Sequence, residues 1–112
     1  MTGLTTHVLD TMHGCPAAGM SVRLTRGATL LYEGTTDAGG RCPGLLGEEA
    51  LAAGAYRLEF GVAAYFRARG VALPEPPFID VVAIDFGVAE PDGHYHVPLL
   101  VSPFSYSTYR GS

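Results

Sequence analysis

Lysine is missing from this chain. All seven basic residues are arginines, at positions 23, 26, 41, 57, 67, 69 and 110. That removes Schiff-base chemistry and lysine general bases, and it makes every cationic contact a planar guanidinium fork. The arginines are scattered, without the clustered basic face of a nucleic-acid binder. With 11 acidic residues the formal net charge is −4, so no nucleic-acid partner is expected. Cys15 and Cys42 stand in no CxxC pair, and two thiols are too few for a disulfide framework. Both are expected to be reduced, in a cytoplasmic protein. Residues 1–7 carry neither the basic nor the apolar region of a signal peptide. No run approaches the roughly 18 apolar residues of a membrane helix, so no membrane partner is expected. A GxSxG elbow, an HExxH pair, a P-loop and a GxGxxG fingerprint are all absent. No serine has a signature that marks it as a nucleophile.

What remains is a chain of 112 residues with 47% apolar content, the size of one domain spanning residues 1–112. Such a chain buries somewhat over ~60% of its unfolded surface, so no disulfide or metal staple is needed to fold it.

Alternation predicts strands over residues 4–9, 20–25, 28–36, 54–61 and 78–86, with Gly14, Pro16, Gly19 and the run 36–40 as turn signals. Arg41 and Cys42 open a short further strand before Pro43 ends it. Residues 45–53 are left as loop or a turn of helix. Residues 62–69 form the one helix, with Val62, Tyr65, Phe66 and Arg69 at helical spacing; at about eight residues it must be packed on something. Pro74, Pro76 and Pro77 make a rigid connector. The strand at 78–86 is apolar on both faces, which predicts cover on both sides. Seven or eight short strands at roughly ten-residue spacing, with one helix, predict an all-β fold: a two-sheet antiparallel β-sandwich.

The chemistry gathers in the last nineteen residues. His94 and His96, two apart on a strand, project from one face while Tyr95 and Val97 project from the other. Strand character then continues to Tyr109, so the final Tyr109-Arg110-Gly111-Ser112 is a candidate for a tied-down tail. His7 lies on the first strand and is a candidate neighbour of the pair; His13, in the Gly/Pro loop, is read as solvated. Three readings are open for His94 and His96: two satisfied structural histidines, an HxH metal site with His7 as third ligand, or a metal-free site. In the last, a neutral imidazole takes a proton from water beside a guanidinium.

These motifs resemble a known family. The opening Leu4-Thr5-Thr6-His7-Val8-Leu9-Asp10 with Gly14-Cys15-Pro16-Ala17, the central Gly40-Arg41-Cys42, the run from His94 to Leu100 with Ser102-Pro103, and the closing Tyr109-Arg110-Gly111-Ser112 are similar to the 5-hydroxyisourate hydrolases. Those are the transthyretin-related enzymes of urate breakdown. The resemblance runs in order from residue 4 to 112. It implies a transthyretin-like sandwich of two four-stranded sheets with a short helix. It implies a homotetramer, a dimer of dimers with active sites between subunits, and hydrolysis of 5-hydroxyisourate with no cofactor. By the same resemblance His7, Arg41 and His96 are catalytic, and His94, Tyr109, Arg110, Gly111 and Ser112 bind substrate. The rival expectations are a non-catalytic transthyretin-like carrier of an aromatic ligand in the intersubunit channel, and a zinc hydrolase on the same residues.

Overall fold

The computed structural model describes residues 3–46, 51–91 and 93–111. Eight strands and one helix follow in order: β1 Gly3–Asp10, β2 Cys15–Pro16, β3 Ser21–Arg26, β4 Thr29–Thr35, β5 Gly54–Gly61, α1 Val62–Ala68, β6 Val81–Val88, β7 His94–Ser102 and β8 Ser105–Thr108. They form two four-stranded sheets, ordered β2-β1-β7-β8 and β4-β3-β5-β6. The expected two-sheet sandwich with one short helix is what is found.

The expectation of antiparallel pairing throughout needs one correction, because β1 and β7 run parallel over their whole length. Every other pair is antiparallel. Side-chain alternation specifies which face a residue takes, not the direction of a partner some ninety residues away.

Each inner face is built by period-two burial. On β1 the even positions Leu4, Thr6, Val8 and Asp10 are buried, and the odd ones are half exposed. On β5 Tyr56, Leu58 and Phe60 turn inward. Val22 and Leu24 from β3, Val82 and Ile84 from β6, and Val97, Leu99 and Val101 from β7 complete the core. Full burial of each such side chain is worth about 1.5–3 kcal/mol.

α1 begins directly after β5, with no side-chain cap at Gly61. The Asp80 carbonyl instead accepts from the Val62 and Ala63 N–H groups, at 3.1 and 3.0 Å. Val62, Ala63, Tyr65 and Phe66 are its buried face, the packing that so short a helix needs.

Two expectations differ from the structure. The strand foreseen at 78–86 begins at Val81, and Phe78 lies before it, 74% exposed; the preceding prolines cannot supply ladder N–H groups. Only one face of β6 is covered within this chain, since Val81 is 54% exposed. The reading of residues 45–53 falls partly on 47–50, outside the described residues.

No helix among the described residues is long and apolar enough to cross a membrane.

Candidate active site

β1 and β7 together place the histidines. Their parallel register sets Thr5 beside His96 and His7 beside Pro98. Because odd positions of β1 and the even positions His94 and His96 of β7 all lie on the half-exposed face, Thr5, His7, His94 and His96 share the outer surface of one sheet.

Arg41 arrives from the connection after β4. Gly40, at φ +76°, passes so close to β1 that a Cβ there would collide with the Val8 carbonyl, and only glycine tolerates both demands. The Val8 N–H donates to the Gly40 carbonyl at 2.8 Å, and Arg41 forms a bridge to His7. Asp37 ties the turn from the other side, its Oδ1 accepting from the Gly39 and Arg41 N–H groups at 2.9 and 3.0 Å. The short strand expected at Arg41 and Cys42 is this single bridge, with Cys42 buried in the core behind it.

The tail closes on the same surface. β8 pairs with β7 as Leu99↔Thr108, and that antiparallel register continues to a bridge between His96 and Gly111. The Gly111 N–H donates to the His96 carbonyl at 2.8 Å, and Thr108 Oγ1 donates to the Pro98 carbonyl at 2.7 Å. A Cβ on Gly111 would stand 2.5 Å from His96 Cδ2, so the backbone itself packs on the imidazole. His96 is therefore held between β1 and the tail, with Thr5 Oγ1 2.8 Å from its Nδ1. The role of Thr5 was not foreseen; its place two residues before His7, on the same strand face, was the available signal.

Burial pushes the His96 imidazole below its ordinary range, and the positive charges of Arg41, His7 and His94 add to that push. A base kept neutral in this way keeps its lone pair at lower pH than a free imidazole. His94 Nδ1 is the one buried side-chain nitrogen or oxygen among the described residues that lacks a hydrogen-bond partner, a rare condition in a native fold.

Arg110 goes elsewhere. Its guanidinium lies 4.1 Å from the centroid of the Tyr95 ring and donates to the His94 carbonyl at 3.3 Å. Tyr95 is on the inner side of β7, so Arg110 is set apart from the imidazoles. With Tyr109 it lines a cavity of about 350 Å³, with Ile84, Phe86 and Val97 among its other walls. Ser112, expected in the site, lies outside the described residues.

His13 is exposed, as its loop position suggests, but its ring is also tied down. Its Nδ1 bonds to Asp10 Oδ2 at 2.6 Å and its ring lies 6.2 Å from that of Phe66. Among the described residues no three His, Cys, Asp or Glu side chains are grouped to hold a metal ion.

The outer β1/β7 face thus joins His7, His96 and the Arg41 loop, and residues 4–111 match the model of the HIUase/Transthyretin family. The chain belongs to that family. Within the HIUase/Transthyretin family it is 54% identical to the 5-hydroxyisourate hydrolase of Caulobacter vibrioides, over 100% of both chains. The solved structure of Klebsiella pneumoniae 5-hydroxyisourate hydrolase superposes with a TM-score of 0.86, at 37% identity over 100% of each chain. Sea bream transthyretin in complex with thyroxine gives a TM-score of 0.84, at 35% identity over 96% of this chain and 93% of that one. The chain is also 45% identical to (S)-allantoin synthase over 97% of its own length, with a TM-score of 0.89, but spans only 43% of that chain.

Proposed function

We propose that this protein hydrolyses 5-hydroxyisourate to 2-oxo-4-hydroxy-4-carboxy-5-ureidoimidazoline in urate degradation. The observation that carries the reading is the His96 imidazole, held between Thr5 and Gly111 and depressed in pKa beside His7 and Arg41. The curated relative named for that activity at 54% identity supports the choice of substrate.

In the proposed reaction His96 takes a proton from water as its oxygen attacks the ring carbonyl, a contribution typically worth about 10²–10⁴ in rate. Arg41, always charged, stabilises the tetrahedral oxyanion. Collapse of the intermediate breaks the C–N bond and opens the ring. The leaving nitrogen receives a proton from a histidine, with His7 placed to orient the water or to deliver that proton. His94, on the same outer face of β7 as His96, supplies a hydrogen-bonding group to the substrate. Gly111 borders the site, and Arg110 serves it by anchoring the tail on Tyr95.

The same reading makes the protein a homotetramer, a dimer of dimers. β6 and β8 are free edge strands, and such edges invite pairing with another copy. Phe78, Val81, Phe104 and Tyr106 are exposed beside them, an apolar surface better explained if covered. Light scattering should give the mass of four chains; a monomer would refute this part. Both cysteines are free, which suits a reducing cytoplasm.

The test of the reaction is a stopped-flow ultraviolet assay in which 5-hydroxyisourate is generated from urate in situ. Decay faster than the spontaneous rate is expected on adding the protein. The likeness to sea bream transthyretin keeps one alternative in view, a carrier that binds an aromatic ligand without turnover. Unaccelerated decay from folded tetramer would favour it.

A further inference from the structure

Thr5 and His96 meet in a contact fixed from both sides. The parallel register sets them opposite each other. One step along, the Thr6 hydroxyl donates to the Val97 carbonyl at 2.7 Å in the buried layer, so β1 does not slide along β7. A neutral imidazole carries one proton on two nitrogens, and the partner of one nitrogen decides the state of the other. Were the Thr5 hydroxyl the donor to Nδ1, the proton would sit on Nε2 and the ring would have no lone pair for water. Were Nδ1–H the donor, Nε2 would be free and basic.

Two features select the second arrangement. A hydroxyl oxygen accepts readily while turning its own hydrogen elsewhere, and Thr5 is half exposed.

We infer that Thr5 is a positioning residue: its hydroxyl oxygen holds His96 as the Nδ1–H tautomer and leaves Nε2 as the proton acceptor for the hydrolytic water. The catalytic consequence rests on the hydrolase reading, while the tautomer does not. Among the described residues the charged and titratable groups acting on the ring are His7 on β1, His94 on β7 and Arg41 on the loop bridged to β1. Substitution at Thr5 alters none of them.

Two variants test this. Thr5→Val keeps the branched shape and strand propensity but loses the hydroxyl; Thr5→Ser keeps the hydroxyl. The ¹⁵N resonances of the His96 ring, recorded by NMR above its titration, report the tautomer in each folded protein. The wild type and Thr5→Ser should show a protonated Nδ1 and a bare Nε2. In Thr5→Val the proton should move to Nε2 in a substantial fraction of molecules. Its kcat should fall about tenfold or more, within the roughly 10²–10⁴ that general-base catalysis is worth, with little change in KM. Wild-type protein already protonated on Nε2 would overturn the inference. So would a Thr5→Val variant in which tautomer and kcat do not change together. A wild type that leaves 5-hydroxyisourate untouched would sink the hydrolase reading, and the spectra would still decide the tautomer.

Discussion

Replacing Gly111 by alanine should disable the site while leaving the fold alone. The added Cβ would stand 2.5 Å from His96 Cδ2 and close to Cγ and Cβ of the same side chain, at 3.1 and 3.2 Å. Ordinary contact begins near 3.4 Å, so the imidazole or the tail must retreat by about 1 Å, a displacement that can cost on the order of 10²-fold in rate. The tail cannot simply rotate away, because the Gly111 N–H is bonded to the His96 carbonyl at 2.8 Å. Residue 111 belongs to no core cluster, so the stability change should stay within about 0.5 kcal/mol, as for other substitutions away from the core. Steady-state ultraviolet kinetics on 5-hydroxyisourate, run beside a thermal melt, separate the two effects. A variant with the wild-type kcat would refute the close packing of Gly111 on His96. Equal losses of activity and melting temperature would refute the claim that this packing is local to the site.

Three further predictions follow from the charges. Because burial and neighbouring cations lower the His96 pKa, kcat/KM should fall only as pH drops through a value below the usual imidazole range near ~6.5. Arg41→Ala should move that acid limb upward as well as reduce kcat, and a limb that stays in place would separate Arg41 from His96. The second concerns the far end of β1. Asp10 is 1% exposed, and its Oδ2 meets His13 Nδ1 at 2.6 Å, the Tyr65 hydroxyl at 2.8 Å and Arg69 at 3.7 Å. Burial raises the carboxyl pKa, but the bonds from His13 and Tyr65 together outweigh it and the net lies below 3.8. The unfolded chain therefore takes up the proton first as the medium is acidified. The stabilisation is complete above the unfolded value and is lost as pH falls through the folded one. Asp10→Asn should destabilise the wild type by about 1–3 kcal/mol at neutral pH in urea unfolding, with the difference shrinking in acid; a pH-independent difference would contradict the ionised network. Third, chelator-treated protein, shown metal-free by elemental analysis, should retain its full rate, whereas loss restored by zinc would return the metal reading to the histidines.

How much of this was legible in the sequence differs by element. β5 was read to its final residue, because Gly54 and Gly61 frame a run whose alternating Tyr56, Leu58 and Phe60 face the core. β2 was hidden, since two residues carry no periodicity, and Cys15–Pro16 is recognisable only by its pairing with Leu9 and Asp10. Phe78 falls in phase with Val82, Ile84 and Phe86, yet the prolines before it hold it outside the ladder. His13 is exposed, as its loop suggests, but its bond to Asp10 was not legible; the clue was a carboxylate at an inward position of β1, which requires hydrogen-bond partners.

For the site, spacing alone placed His94 and His96 on one face. That His7 neighbours the pair was a candidate from strand order, but the parallel β1–β7 register that brings it there is revealed by no local pattern, and the joining of Arg41 was expected only through family resemblance. The path of Arg110 onto Tyr95 was equally invisible, being decided by which side of β7 the tail crosses.

The most direct test of the central claim is the stopped-flow decay of 5-hydroxyisourate with wild type, His96→Asn and Arg41→Ala, each shown to be folded and of the same oligomeric mass. The wild type should accelerate decay strongly, and each substitution should abolish most of that acceleration. Undiminished acceleration in His96→Asn would contradict the account, because the water would then be activated somewhere other than the outer face of β1 and β7.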